Sequence, residues 1–376
     1  MIKFFNIYKQ DKNISENIIT DIKKIIKSNS FINGKAVNDF EKNFAKYCGS
    51  KYAVACANGT DAIFLALKAL GLKKGSEVIL PAMTYCSTIF SVINSGLKPV
   101  LADINENSPL INIDSIKKLI SKNTQVIMPV HLYGSVVNIK KIKKIVKNKK
   151  IYIIDDCAQA HGAYDCDNCI NYKKNNCCKL GKRVGSLSDI SCFSLYPGKN
   201  LGAYGDAGII TTNNKKFYNY LKKITNLGSI KKFHHELIGF NSRLDTIQAS
   251  VLNNKLKHLD KNNNKRYLIA KKYNTEIKNP IVKKIEYTKG SVFHQYVIRI
   301  KKKYKIKLTK LFHKNNIEYG YHYPKPLNKL SALKNFFLKK KYLNSESLAN
   351  DCLSLPIDPN LSKANIKLII KLINSI

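Results

Sequence analysis

Three short stretches carry residue types that could do chemistry. The first is Asn58-Gly59-Thr60-Asp61, a small turn that opens an apolar run with helical spacing. Backbone N–H groups freed at a helix N-terminus, with the positive end of the helix dipole behind them, can hold an anion such as phosphate. The same residues would equally serve as an ordinary cap built on Asn58 or Thr60. The second is Asp155-Asp156-Cys157-Ala158-Gln159-Ala160-His161-Gly162, directly after Ile151-Tyr152-Ile153-Ile154. An acid that ends a strand can face a cation across a ligand crevice, or merely cap a turn. The third is Ser194-Leu195-Tyr196-Pro197-Gly198-Lys199-Asn200-Leu201-Gly202. A lysine in such a Pro/Gly-shaped loop, if desolvated, loses its proton and becomes a nucleophile. As one of 61 lysines, it could also be an exposed charge.

The surrounding pattern supplies elements to hold these stretches. Short β-branched runs alternate with helical ones. Strands are predicted at Tyr52–Ala55, Glu77–Leu80, Pro99–Asp103, Gln125–Val130, Ile151–Asp155, Ile190–Ser194 and Ala207–Thr211. Helices are predicted at Asp61–Leu70, Ser87–Ser95, Ile113–Ser121 and Ile139–Val146. Seven such strands with helices between them predict an α/β fold with a mainly parallel sheet covered on both faces. In that architecture ligands gather outside the carboxyl ends of the strands, where all three stretches fall. After residue 250 the texture changes to a long helical Lys/Asn-rich stretch, Val251–Ile277, and then strands near 292–300 and 317–322. This predicts a large domain over 1–250 and a smaller C-terminal α+β domain over 251–376.

Composition narrows the class. With 376 residues, 44% apolar and 10% aromatic, the chain can bury a large core and is not disordered or fibrous. The beginning lacks a signal-peptide core, since Lys9 and Asp11 interrupt it, and the uncharged stretch Val78–Leu97 is too polar for a bilayer. A cytoplasmic location without membrane attachment is expected. The net charge of +40 suggests anionic partners. Yet the lysines are dispersed along the chain, whereas a nucleic-acid footprint is a localised patch. No nucleic-acid partner is expected, and a basic nucleic-acid-binding protein is the alternative from another class. The four arginines, Arg183, Arg243, Arg266 and Arg299, stand out where lysine is the default. Ten cysteines do not make a disulfide scaffold. Cys48, Cys56, Cys86, Cys157, Cys192 and Cys352 sit in or beside apolar runs, as small buried hydrophobes do.

A phosphate turn, a strand-end carboxylate and a loop amine, in this order on an α/β frame, are what pyridoxal 5'-phosphate requires: a cup, a partner for its pyridine nitrogen, and a Schiff-base lysine. Ordered motifs from Phe31 to Leu372 extend the match. They include Phe31-Ile32-Asn33-Gly34, Ala57-Asn58-Gly59-Thr60-Asp61-Ala62, Pro81-Ala82-Met83-Thr84-Tyr85, Asp156–Ala163, Gly185–Ile190, Ser194–Gly205, Gly239–Asp245, His322-Tyr323-Pro324 and Leu355-Pro356. In these the sequence resembles the DegT/DnrJ/StrS family of nucleotide-sugar aminotransferases, which have the fold-type-I architecture.

The resemblance implies roles for individual residues. Lys199 is similar to the Schiff-base lysine that also moves the proton, and Asp156 to the partner of the pyridine nitrogen; these two are the catalytic residues. Gln159 resembles the residue that hydrogen-bonds the ring hydroxyl, and Tyr85 the aromatic that stacks on the ring. Gly59, Thr60 and Ser194 resemble the phosphate cup. Asn241 resembles an asparagine that reaches the phosphate from a neighbouring subunit, which implies a homodimer with shared active sites. Arg243, His322 and Tyr323 match positions near the sugar-nucleotide pocket, although Arg243 could instead pair with Asp245 and the other two could pack at a strand end.

The implied reaction moves an amino group from an amino acid, L-glutamate in most of the family, through pyridoxamine phosphate to a keto-sugar carried on a nucleotide diphosphate (dTDP or UDP). The product is an amino sugar for surface polysaccharide. The motifs resemble 3-keto members more than 4-keto members, which remain the alternative. The presence of Lys199 argues against the branch of the family that has His there and dehydrates, and against a non-catalytic regulator on the same fold. Two departures stand out. Relatives commonly have His where this chain has Asn328. Between Tyr164 and Leu180 an extra segment carries Cys166, Cys169, Cys177 and Cys178. Four thiols could hold zinc or an Fe–S cluster, but adjacent cysteines suit one tetrahedral site poorly, so a loop with free thiols and no metal is expected.

Overall fold

In the computed structural model, residues 1–165, 182–231, 233–337 and 340–376 are described. The cysteine cluster at 166, 169, 177 and 178 lies outside them. All seven predicted strand runs form one sheet: β1 (Tyr52–Cys56), β2 (Glu77–Pro81), β3 (Lys98–Ala102), β4 (Thr124–Ile127), β5 (Tyr152–Asp156), β6 (Ile190–Ser194) and β7 (Gly208–Thr212). Their order across the sheet is β1-β7-β6-β5-β4-β2-β3. Only β7 runs antiparallel to its neighbours.

Successive side chains of a strand face opposite sides. Ala53, Ala55, Ile79, Ile127, Ile153, Phe193 and Ile209 enter one core. Their chain neighbours Val54, Cys56, Val78, Leu80, Val126, Ile154, Cys192 and Ile210 enter the other. Both faces are therefore dry, which is why these strands read as continuous apolar runs rather than alternating ones. The helices Gly59–Ala69 and Cys86–Asn94 begin right after β1 and β2, so their N-termini stand at the carboxyl edge of the sheet.

A further core cluster unites Tyr273, Tyr296, Ile298, Leu353, Leu355, Phe312, Ile369 and Ile373 with Ile2 from the other end of the chain. Its sheet is antiparallel: β8 (Lys283–Lys284), β9 (Tyr296–Arg299) and β10 (Cys352–Leu355). The expected helix 251–277 is two helices, Thr246–Leu256 and Leu259–Glu276, broken around Lys257-His258. No strand forms at 317–322; Ile317 bridges Ile2 and Gly320 bridges Ser354 as isolated pairs. Pro324 just beyond has no N–H to extend a ladder. Of the cysteines expected to be buried, five are, and Cys86 at the start of its helix is only half-buried.

No helix among the described residues is long and apolar enough to cross a membrane.

Candidate active site

Strand β5 ends in Asp156, whose carboxylate is buried. The Thr88 hydroxyl donates to Oδ2 at 2.8 Å, and the Ala158 N–H donates to Oδ1 at 3.0 Å. Thr88 lies one helical turn from Thr84, whose hydroxyl is 3.1 Å from its own. Burial raises the Asp156 pKa; the two donors, Lys199 and His131 pull it the other way. Beneath it, the Val137 N–H donates to His131 Nδ1, so Nε2 carries the ring hydrogen and donates to Asp155 Oδ2 at 3.0 Å.

Lys199 follows β6 in a loop closed by Lys199 N–H to Tyr196 O and Ala203 N–H to Leu195 O. Burial lowers its amine pKa to about 8, with Asp156 pulling upward. The amine makes no hydrogen bond or ion pair among the described residues, while the nearby carboxylate accepts from Thr88 and the Ala158 N–H. Three histidines surround it, each held neutral chiefly by burial: His161 lowered to about 3, His322 to about 4, and His294 well below its ordinary value. The Ser194 backbone approaches His161, yet neither ring nitrogen reaches a partner in hydrogen-bond geometry.

At the first turn, the Asn58 side chain accepts the Asp61 N–H at 2.8 Å and caps the helix Gly59–Ala69. The cap leaves the Gly59 and Thr60 N–H groups without intrahelical acceptors. Position 59 demands glycine, since a Cβ there would lie 2.4 Å from Ser194 Cβ. The Thr60 hydroxyl donates to Ser87 Oγ at 2.8 Å. Gly59, Thr60, Ser194 and Ser87 thus converge beside a helix N-terminus.

Gln159 is buried between two tyrosines: Tyr133 N–H donates to its Oε1 at 2.6 Å, and its Nε2 donates to the Tyr323 hydroxyl at 2.9 Å. Tyr85 is exposed at the mouth, its ring 5.7 Å from that of Tyr323. His322 Nδ1 is 2.7 Å from Ser354 Oγ, and Phe4 stacks on its ring at 5.7 Å. Asn241 and Arg243 do not join this group. Asn241 is exposed, and Arg243 Nη1 donates to Asn226 Oδ1 at 2.9 Å rather than pairing with Asp245. Between them, Ser242 Oγ donates to Asp61 Oδ2 at 2.6 Å and so holds the segment against the capped turn.

Thr84, Ser87, Thr88, Tyr133 and His294 were not singled out by sequence. The first three carry a usable signal, small hydroxyl residues at three- and four-residue spacing in the run after β2; Tyr133 and His294 carry none without the fold.

These residues fit pyridoxal phosphate on grounds internal to the structure. A buried carboxylate, costly without a counter-charge, matches a protonated ring nitrogen. An unpartnered amine with depressed pKa matches an aldehyde. A helix N-terminus where only glycine fits, with hydroxyls beside it, matches a phosphate.

The family model for DegT/DnrJ/EryC1/StrS aminotransferases matches residues 12–374. A dTDP-3-amino-3,6-dideoxy-alpha-D-galactopyranose transaminase of Aneurinibacillus thermoaerophilus is 37% identical, over 100% of this chain and 99% of that protein. A UDP-2-acetamido-2-deoxy-3-oxo-D-glucuronate aminotransferase of Pseudomonas aeruginosa is 33% identical, over 98% of each. Among solved structures, DesV of S. venezuelae superposes with a TM-score of 0.92 at 30% identity, over 100% of this chain and 98% of that one. The seven-stranded frame, the tuned amine at its carboxyl edge and these matches agree: the chain belongs to the DegT/DnrJ/EryC1/StrS family and is a pyridoxal-phosphate-dependent aminotransferase of fold type I.

Proposed function

We propose that this enzyme transfers an amino group from an amino acid, L-glutamate, to the 3-keto carbon of a sugar carried on dTDP or UDP, as a step in making amino sugars for surface polysaccharide. The observation that carries the chemistry is an unpartnered Lys199 amine, lowered to about 8 by burial, near the buried Asp156 carboxylate at the carboxyl edge of the sheet. The substrate class is supported by the relatives, whose names specify a 3-amino or 3-oxo sugar on dTDP or UDP.

Bound pyridoxal phosphate supplies an aldehyde to carry nitrogen and a ring to take up electrons. Lys199 would hold the cofactor through its aldehyde, and its Nζ, when free, would move the proton to and from the carbon that carries nitrogen. Asp156, whose charged form Thr88 and the Ala158 N–H favour against the burial that raises its pKa, would hold the proton on the ring nitrogen. Gln159 donates to the ring hydroxyl position, and Tyr85 covers the ring. Gly59, Thr60 and Ser194, with Ser87, hold the phosphate. His322 and Tyr323 line the sugar side. Asn241, exposed in its own chain, reaches the phosphate of a second copy in a homodimer, and Arg243 lies near the same boundary.

The test is a panel of 3-keto and 4-keto forms of dTDP- and UDP-sugars incubated with enzyme and glutamate, scored by mass spectrometry for the gained amine. Amination of 3-keto substrates is expected; amination of 4-keto substrates alone overturns the regiochemistry.

A further inference from the structure

The hydrogen-bond polarity around Gln159 is fixed by its partners. A backbone N–H can only donate, so the side-chain atom at Tyr133 N is the amide oxygen, and the atom at the Tyr323 hydroxyl is the nitrogen. That nitrogen carries two hydrogens. One goes to Tyr323; the second has no acceptor among the described residues. Both tyrosines are themselves held. Tyr133 sits at φ 58°, a backbone setting that bulky residues rarely adopt, so the direction of its N–H is set by the turn His131–Gly134. Its hydroxyl donates to the His322 carbonyl. The Tyr323 ring lies between those of Tyr85, at 5.7 Å, and His322, at 5.6 Å.

We propose that Tyr323 is a positioning residue: its hydroxyl oxygen accepts one Nε2 hydrogen of Gln159 and thereby turns the other toward the ring oxygen of bound pyridoxal phosphate. The inference rests on the role given to Gln159 above and adds what fixes that role. With Tyr133 alone, the amide could swing about its oxygen; with Tyr323 it is clamped at both ends. Because Tyr323 accepts from Gln159, its own hydrogen is left to point elsewhere in the pocket.

The charged and titratable groups facing Tyr323 are Asp156, Tyr85, Cys86, Tyr133, His322 and Cys352, and those facing Lys199 are Asp156, His161, His294 and His322. Burial keeps all three histidines neutral near neutral pH. A visible pH titration of the loaded enzyme therefore reports the cofactor linked to Lys199.

A donor to the anionic ring oxygen favours the deprotonated state of that link and lowers its midpoint. Gln159→Ala should raise the midpoint by about 0.5–1 unit, the worth of one hydrogen bond. Tyr323→Phe, which keeps the ring and loses only the acceptor, should reproduce about half of that shift or more. The double variant should shift no further than Gln159→Ala, because the two residues act through one bond. A Tyr323→Phe midpoint equal to wild type, or a double variant equal to the sum, overturns the proposal; a purely structural Tyr323 would lower the melting temperature without moving the midpoint. If Gln159→Ala leaves the midpoint in place, both this inference and the role of Gln159 fall. Loss of the visible band in Lys199→Ala shows separately whether the reading of the lysine stands.

Discussion

Two lysines of this chain lie in enclosed surroundings and meet opposite fates. Lys255, on the helix Thr246–Leu256, has an Asp11 oxygen 2.9 Å from its amine, and Tyr204 donates to that same oxygen at 3.0 Å. Burial lowers its pKa, and the ion pair and hydrogen bond pull it back. Lys199 also faces an acid, but Asp156 accepts from Thr88 and Ala158 and acts on the amine only through space. Its pKa falls to about 8. The same residue type is thus locked in one region and left reactive in the other, and what separates them is whether the neighbouring carboxylate lies within hydrogen-bond distance of the amine.

The widest gap between the two should appear on deletion. Lys199→Ala should abolish the visible band and lower turnover by roughly 10²–10⁴-fold or more, with the melting temperature of the apo protein little changed. Lys255→Met should do the reverse. It leaves a buried carboxylate without its cation, at about 3 kcal/mol, seen in urea denaturation, while kcat stays within a few-fold of wild type. If Lys255→Met lost activity as severely as Lys199→Ala, the division between locked and reactive would fail.

Asp156→Asn comes next. It should lower kcat roughly a hundredfold or more, because the ring nitrogen loses its counter-charge. One amide end would also face a donor, Thr88 or Ala158, that it cannot accept from. Thr88→Val should give a smaller loss in steady-state assays, since Ala158 still donates. Equal losses in both variants would mean that the hydrogen bonds, rather than the charge, carry the effect.

That Lys199 and Asp156 stood out in the sequence while their supports did not has a physical reason. The seven strands are β-branched runs bounded by turns, and a strand end adjacent in sequence to its loop places both residues at one edge. Asn58 and Gly59 were legible for the same reason. Thr88, Tyr133 and His294 reach the site from elements far away in sequence, and although Thr88 shares the hydroxyl spacing after β2, that spacing does not name the carboxylate 68 residues on as its acceptor. The Asp11–Lys255 pair, 244 residues apart, was equally hidden. Arg243 was legible as unusual but not as the partner of Asn226, a contact made only after the chain turns back. Local patterns reveal which residues stand at the sheet edge; they do not reveal who holds them.

A gentler probe is the pH dependence of cofactor capture. Only the neutral amine attacks an aldehyde. With a pKa of about 8, the rate at which apo protein gains colour from pyridoxal phosphate should rise about tenfold per unit below that value and level off above it. Asp156 raises this pKa, so Asp156→Asn should move the midpoint lower. Lys255→Met should leave it where it is. Stopped-flow absorbance across pH separates these outcomes, and an unchanged Asp156→Asn midpoint would break the through-space link between acid and amine.

The smallest effect tests whether the two regions are independent. Tyr204 lies five residues after Lys199 in the same loop, yet its hydroxyl serves Asp11 in the other region. Tyr204→Phe removes one hydrogen bond to a buried carboxylate that keeps its ion pair with Lys255. The expected cost is about 1 kcal/mol, or about 2 °C in melting temperature. If the loop only anchors there, the midpoint for cofactor capture should stay at about 8, as for the native chain. A shift in that midpoint would show instead that Asp11, through Tyr204, sets the burial of the Lys199 amine, and the locked lysine would then be part of what keeps the other one free.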